Sequence, residues 1–116
     1  MSSTKEVLDH HLKCFGAGDL EGVLSDYSSD AILFVPTGPL KGTAAMKPIF
    51  RAIFAEFAKP GASFCLHQRW VEGDYAYILW TAETADNHYD AATDTFVAQQ
   101  GKIVAQSFAA NITPKR

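Results

Sequence analysis

The segment SFCLHQRWVEGDYAYILWTAETADNHYDAATDTFVAQQGKIVAQSFAANI, residues 63–112, decides the fold. It divides into four β-rich stretches, 63–72, 75–85, 89–99 and 102–112. The breaks between them, Gly73-Asp74, Asp86-Asn87 and Gln100-Gly101, have the composition of hairpin turns. Four stretches joined this way predict an antiparallel meander. Side chains alternate along a strand, so in the second stretch Ala76, Ile78, Trp80 and Ala82 form one face and Tyr75, Tyr77, Leu79 and Thr81 the other. Both faces are apolar enough to need covering, one by helices and the other by a second subunit, which predicts a homodimer.

Upstream the period changes. Ser3 and Glu6 have capping-box spacing, and Val7, Leu8, His11, Leu12 and Phe15 recur at helical period until Gly16 and Gly18. Asp19 can cap a second short helix with Leu20, Val23, Leu24 and Tyr27 on one face, ending before Ser28. Residues 31–35 are a short apolar strand, and Pro36, Gly38 and Pro39 turn it into a loop that runs to Gly42. A third helix follows Thr43, with Met46, Ile49, Phe50, Ile53, Phe54 and Phe57 on one side and Pro60-Gly61 as its stop. Pro48 leaves its start open, because a proline ring clashes with a preceding carbonyl outside the first turn. The order is helix, helix, strand, helix and four strands. Three amphipathic helices must bury their stripes on one sheet face, and a strongly twisted sheet curling around the third leaves room for a cavity.

A chain of 116 residues with 47% apolar content builds one core, a single domain over 1–116, and needs no metal or disulfide staple. Ten basic residues scattered from Lys5 to Arg116 against thirteen acidic ones give a net charge of -3 and no phosphate-tracking stripe, so nucleic acid is excluded as partner. The polar start from Met1 to Glu6 and the lack of any long apolar run exclude a membrane and place the chain in the cytoplasm. Cys14 and Cys65 have no CxxC spacing and read as two buried thiols. No His, Cys, Asp or Glu spacing supports a metal.

Several strings then carry a resemblance that spans nearly the whole chain: Ala17-Gly18-Asp19-Leu20-Glu21-Gly22, Asp30-Ala31, Gly42-Thr43-Ala44-Ala45, Asp94-Thr95-Phe96 and Gly101-Lys102-Ile103-Val104. Their order and spacing resemble the SnoaL-like and ketosteroid-isomerase-like branch of the nuclear transport factor 2-like superfamily. The resemblance implies an α+β fold, a cone-shaped barrel in which three N-terminal helices pack on a strongly curved, mainly antiparallel sheet around an internal apolar cavity. It also implies a homodimer. Ketosteroid isomerases carry a tyrosine on the first helix seven residues before the Gly-Asp pair, and His11 stands there. Their protonated aspartate on a late strand, a known example of a carboxyl kept neutral, matches Asp94. Their base, an aspartate directly before a proline, corresponds to Val35 before Pro36. Valine cannot move a proton, so the resemblance does not carry over the steroid isomerase reaction.

His11 lies on the buried stripe of helix one and has three readings: a satisfied core histidine, a pocket-facing acid or base, or a metal ligand. His10, its neighbour, points elsewhere, while His67 and His88 are surface or rim residues. Asp94 shares a strand face with Phe96. If buried, it is protonated or paired with a cation such as His11; otherwise it is an edge acid bonded to a turn. The family comparison puts Gln106 and Phe108 inside the cone. Phe15, Val35, Phe50, Phe54, Trp80 and Phe96 complete the expected ligand wall.

These residues predict a cofactor-free isomerase, cyclase or dehydratase acting on a small apolar carbonyl or polyketide-like compound. Asp94 is its acid-base group and His11 the partner. Two rivals stay open: a non-catalytic ligand-binding protein, and a dimeric association module with a vestigial pocket.

Overall fold

Ser3 starts the first helix as its sequence demands. Its side chain accepts from the Glu6 N–H while Glu6 returns a bond to the Ser3 N–H, and Gly18 ends the helix in the left-handed conformation at φ 68°. The computed structural model describes residues Ser2–Lys115; Met1, which opens the polar N-terminal stretch, and Arg116, the last basic residue, lie outside them. Helix α1 (Thr4–Ala17) is followed by α2 (Leu20–Ser25), capped by the Asp19 carboxylate on the Gly22 N–H. A side chain at Gly22 would stand 2.5 Å from the Asp19 carboxylate and 2.6 Å from the Cys14 sulfur, so glycine is what lets α2 close on α1. The strands are β1 (Tyr27–Val35), β2 (Gly38–Lys41), β3 (Ser63–Glu72), β4 (Tyr75–Glu83), β5 (Asn87–Gln99) and β6 (Lys102–Pro114). Helix α3 (Thr43–Ala58) lies between β2 and β3.

Three features of the N-terminal half differ from the sequence reading. Tyr27 is the first residue of β1, because α2 stops at Ser25 and Asp26 is its cap. The segment read as a loop contains β2, which closes a hairpin on β1 with Val35 opposite Gly38. Pro48 sits inside α3, which begins at Thr43; the carbonyl that loses its helical donor belongs to exposed Ala44, where water can take its place.

The six strands form one sheet in the order β2-β1-β6-β5-β4-β3. The meander β3 to β6 is antiparallel as expected. β1, however, pairs parallel with β6, so the sheet is mixed, and it stays open with β2 and β3 as free edges. Its curvature has a local cause. Register shifts put an extra residue into β3 between Leu66 and Gln68, into β5 between Tyr89 and Ala92, and into β6 between Ile103 and Ala105. Each extra residue bends and twists its strand. The concave side buries Ala76, Ile78 and Trp80 under the helices, with Val23, Met46 and Ile103 wholly enclosed. At the far end Glu56 of α3 accepts from Thr84, Asn87 and Tyr89, which locks the helix to the β4–β5 hairpin. Cys14 is buried and Cys65 exposed on the edge strand, so the expectation of two buried thiols holds for one of them. Among the described residues no helix is long and apolar enough to cross a membrane.

Candidate functional site

Between the concave sheet and helices α1 and α3 lies a cavity of about 230 Å³. Its walls are rings and branched aliphatics. Phe15 comes from α1, Phe50 from α3, Val35 from β1, Trp80 from β4, Phe96 from β5 and Phe108 from β6, all of them expected wall residues. Phe54 was expected there too and is not part of the wall. On α3 the cavity-facing positions are Ile49, Phe50, Ile53 and Phe57, and Phe54 falls on the flank of that stripe, against Phe15 and Phe50 at ring separations of 5.3 and 6.2 Å. Phe64 and Ile112, 46% and 41% exposed, line the opening.

His11, Asp94 and Gln106 all line this cavity and are all buried. Asp94 is therefore not an edge acid. Its Oδ2 accepts from the Trp80 indole N–H at 2.8 Å and its Oδ1 from the Gln106 amide at 2.9 Å. The Gln106 carbonyl accepts from the Tyr27 hydroxyl, and the Tyr27 oxygen stands 3.4 Å from His11 Nε2. His11 and Asp94 thus share one cavity, but Tyr27 and Gln106 join them in place of a direct ion pair. Burial raises the Asp94 carboxyl above its usual range, against the Trp80 and Gln106 N–H donors and a smaller contribution from His11. Burial, reinforced by the charges of Asp94 and Asp26, pushes the Tyr27 phenol far up, so it stays a hydroxyl. A carboxyl raised by burial in an apolar cavity is placed to exchange a proton with whatever binds there.

Asp26 completes the network, and sequence reading missed it. His11 Nδ1 lies 3.0 Å from Asp26 Oδ2, and His10 Nδ1 lies 2.6 Å from Oδ1. Adjacent helix residues do not share a face, yet a carboxylate seated between their directions offers one oxygen to each, so His10 turns toward the site after all. Asp26 is held by its own backbone. Its N–H bonds the Val23 carbonyl at the end of α2 and its carbonyl takes the Ile103 N–H from β6. The His11 ring is fixed further by edge contacts to Tyr27, Phe50 and Phe96. Tyr89 also lines the cavity. Counting inward positions back from Asp94 and Ala92 reaches Asp90; only the register shift at Tyr89/Ala91 turns Tyr89 inward. His67 is exposed against Thr81 and His88 stands at the rim beside Glu83, as expected.

The profile of the SnoaL-like domain matches residues 8–106. No curated protein sequence matches the chain. Among solved structures, a nuclear transport factor 2-like protein of unknown function from Mesorhizobium loti is similar, with a TM-score of 0.77, 23% identity, and coverage of 93% of this chain and 90% of that one. TerC, co-crystallised with polyporic acid, aligns with a TM-score of 0.75 at 18% identity over 95% of this chain and 92% of that one. A de novo designed protein with a curved β-sheet reaches 0.78 at 15% identity, covering 96% and 88%. At such identities the likeness is one of fold, and the designed neighbour illustrates that this fold does not by itself specify a reaction.

Proposed function

This chain belongs to the SnoaL-like domain family, and on that footing we propose that it binds a small, largely apolar carbonyl or polyketide-like compound and acts on it without a cofactor, as an isomerase, cyclase or dehydratase. One observation carries the reading: an apolar cavity whose polar floor holds Asp94 desolvated and its carboxyl raised. In this reading Asp94 is the acid-base group, and His11, tied to it through Tyr27 and Gln106, adjusts the charge of the floor. That TerC was crystallised with polyporic acid supports a cavity of this fold taking an organic compound.

Val35 favours the second reading, a binding protein without turnover. It lines the cavity directly before Pro36, where an enzyme of the ketosteroid isomerase kind needs a carboxylate. Native mass spectrometry of the purified protein is expected to retain a small organic ligand. Asp94→Asn then separates the readings. If Asp94 does the chemistry, turnover is abolished while ligand affinity stays within about tenfold, or roughly 1.4 kcal/mol. A binder has no turnover to lose.

We propose further that the chain is a single domain of the cytoplasm that pairs as a homodimer, and the convex sheet face supports the pairing. Phe34, Trp70 and Tyr75 are 49%, 63% and 60% exposed there. Register places Thr93, Thr95 and Ala105 on the same face, with Glu72 opposite Tyr75 and Lys41 opposite Ile32 on the two edge strands. Large exposed rings around small uncharged side chains suit the flat, self-complementary contact of a two-fold pair.

A further inference from the structure

Asp26 stands between two imidazoles, and a carboxylate can only accept. His10 Nδ1 lies 2.6 Å from its Oδ1 and His11 Nδ1 lies 3.0 Å from its Oδ2, so each ring must present a proton on Nδ1. The carboxylate is not free to turn toward one ring alone. The Asp26 N–H is tied to the Val23 carbonyl, its carbonyl to the Ile103 N–H, and each side-chain oxygen to a different histidine.

A neutral His11 then has its lone pair on Nε2, the nitrogen on the Tyr27 side of the ring, 3.4 Å from the Tyr27 oxygen. Tyr27 has one proton and two acceptors beside it. The Gln106 carbonyl is the nearer, and the Gln106 amide is fixed in that sense because its N–H donates to Asp94. The Tyr27 proton is therefore spent on Gln106, and His11 Nε2 keeps its lone pair. His11 is buried and lines the cavity. Among the described lining residues no other side chain offers a nitrogen lone pair, since the Trp80 indole and Gln106 amide nitrogens are donors only.

We propose that Asp26 is a positioning residue that holds His11 in the Nδ1–H form and so makes His11 Nε2 the proton acceptor of the cavity. The inference rests on the ligand-binding reading above and supplies it with a base where Val35 cannot serve. A ligand O–H gives its proton to Nε2, and the bonding electron pair stays on the ligand oxygen. The imidazolium so formed keeps its Nδ1–H on Asp26, whose charge balances it, and Asp26 itself takes no proton. The compound that fits is neutral, apolar over most of its surface and a proton donor at one end, as in a phenolic or enolic hydroxyl.

Ring-nitrogen NMR of isotopically labelled histidines reads the tautomer without any ligand. In the unmodified protein at about pH 9, His11 is expected to carry its proton on Nδ1 and to show a bare Nε2. In Asp26→Ala the proton is expected on Nε2, where the Tyr27 oxygen can accept it. Should that variant not fold, Asp26→Asn offers one acceptor and one donor in place of two acceptors, and one of the two rings is expected to change tautomer. A bare Nδ1 on His11 in the unmodified protein, a His11 that still holds both protons at that pH, or variants that leave both rings unchanged would each overturn the inference. Phenol and toluene, matched in size, then probe the cavity. Phenol is expected to shift the His11 Nε2 resonance, and toluene to bind without shifting it. Phenol that binds with no larger shift than toluene leaves the pocket standing and refutes the acceptor. If neither compound binds, the ligand-pocket reading fails, and the inference fails with it.

Discussion

Asp26 holds two imidazoles, and the shorter of its two bonds should be worth less to stability. His10 lies 2.6 Å from the carboxylate, but its side chain is 51% exposed. In His10→Ala water replaces the ring, and alanine is the better helix former, so the net change should fall within about 0.5 kcal/mol of zero. His11 lies 3.0 Å away with its side chain 4% exposed. In Asp26→Ala the buried His11 Nδ1 loses its acceptor, a buried pair broken on one side, at about 3 kcal/mol. For a domain of this size that corresponds to roughly 12 °C in Tm. Urea denaturation at fixed protein concentration, compared at equal m-value, measures both variants. Equal losses, or a loss below about 1 kcal/mol for Asp26→Ala, would refute the claim that burial, not bond length, sets the worth of each contact.

Three further predictions concern charge, assembly and reaction. Burial raises the folded-state value of Asp94 above its ordinary 3.8, so the folded state holds a proton that the unfolded chain has released, and the stability contribution of Asp94 falls as pH rises through that window. The stability of Asp94→Asn relative to the unmodified protein is therefore expected to improve as pH rises above about 4, and a flat or opposite trend by chemical denaturation contradicts the assignment. Light scattering at micromolar concentration should give twice the mass of one chain, and Trp70→Glu on the exposed convex face should halve it; a monomeric unmodified protein sinks the dimer. The unmodified chain should turn over a β,γ-unsaturated ketosteroid poorly because Val35 stands where a base is needed, and robust turnover would mean that another group abstracts the proton.

The periods of the sequence determined the elements. A helix face can be recognised from Val7, Leu8 and His11, and the alternation of Ala76, Ile78 and Trp80 marks an inward strand face, because both follow from backbone geometry alone. The same local rules put His11 and Asp94 on apolar faces that must be buried, while the family resemblance placed Gln106 and Phe108 inside. What local rules cannot see is a register shift. Tyr89 enters the cavity only through the extra residue at Tyr89/Ala91, and the bulges that curve the sheet carry no signature in composition. β2 escaped because a four-residue strand with a proline has no periodicity of its own and exists through its pairing with β1. Asp26 and Tyr27 escaped for a related reason: one is a helix cap and the other begins a strand that meets β6 from 76 residues away, as Tyr27 pairs with Ile103. The polar chain from His10 to Asp94 draws on α1, α2, β1, β4, β5 and β6. Sequence supplied its chemical groups, but only tertiary packing could choose their partners, because the cost of burying each one unsatisfied is felt once the elements close over it.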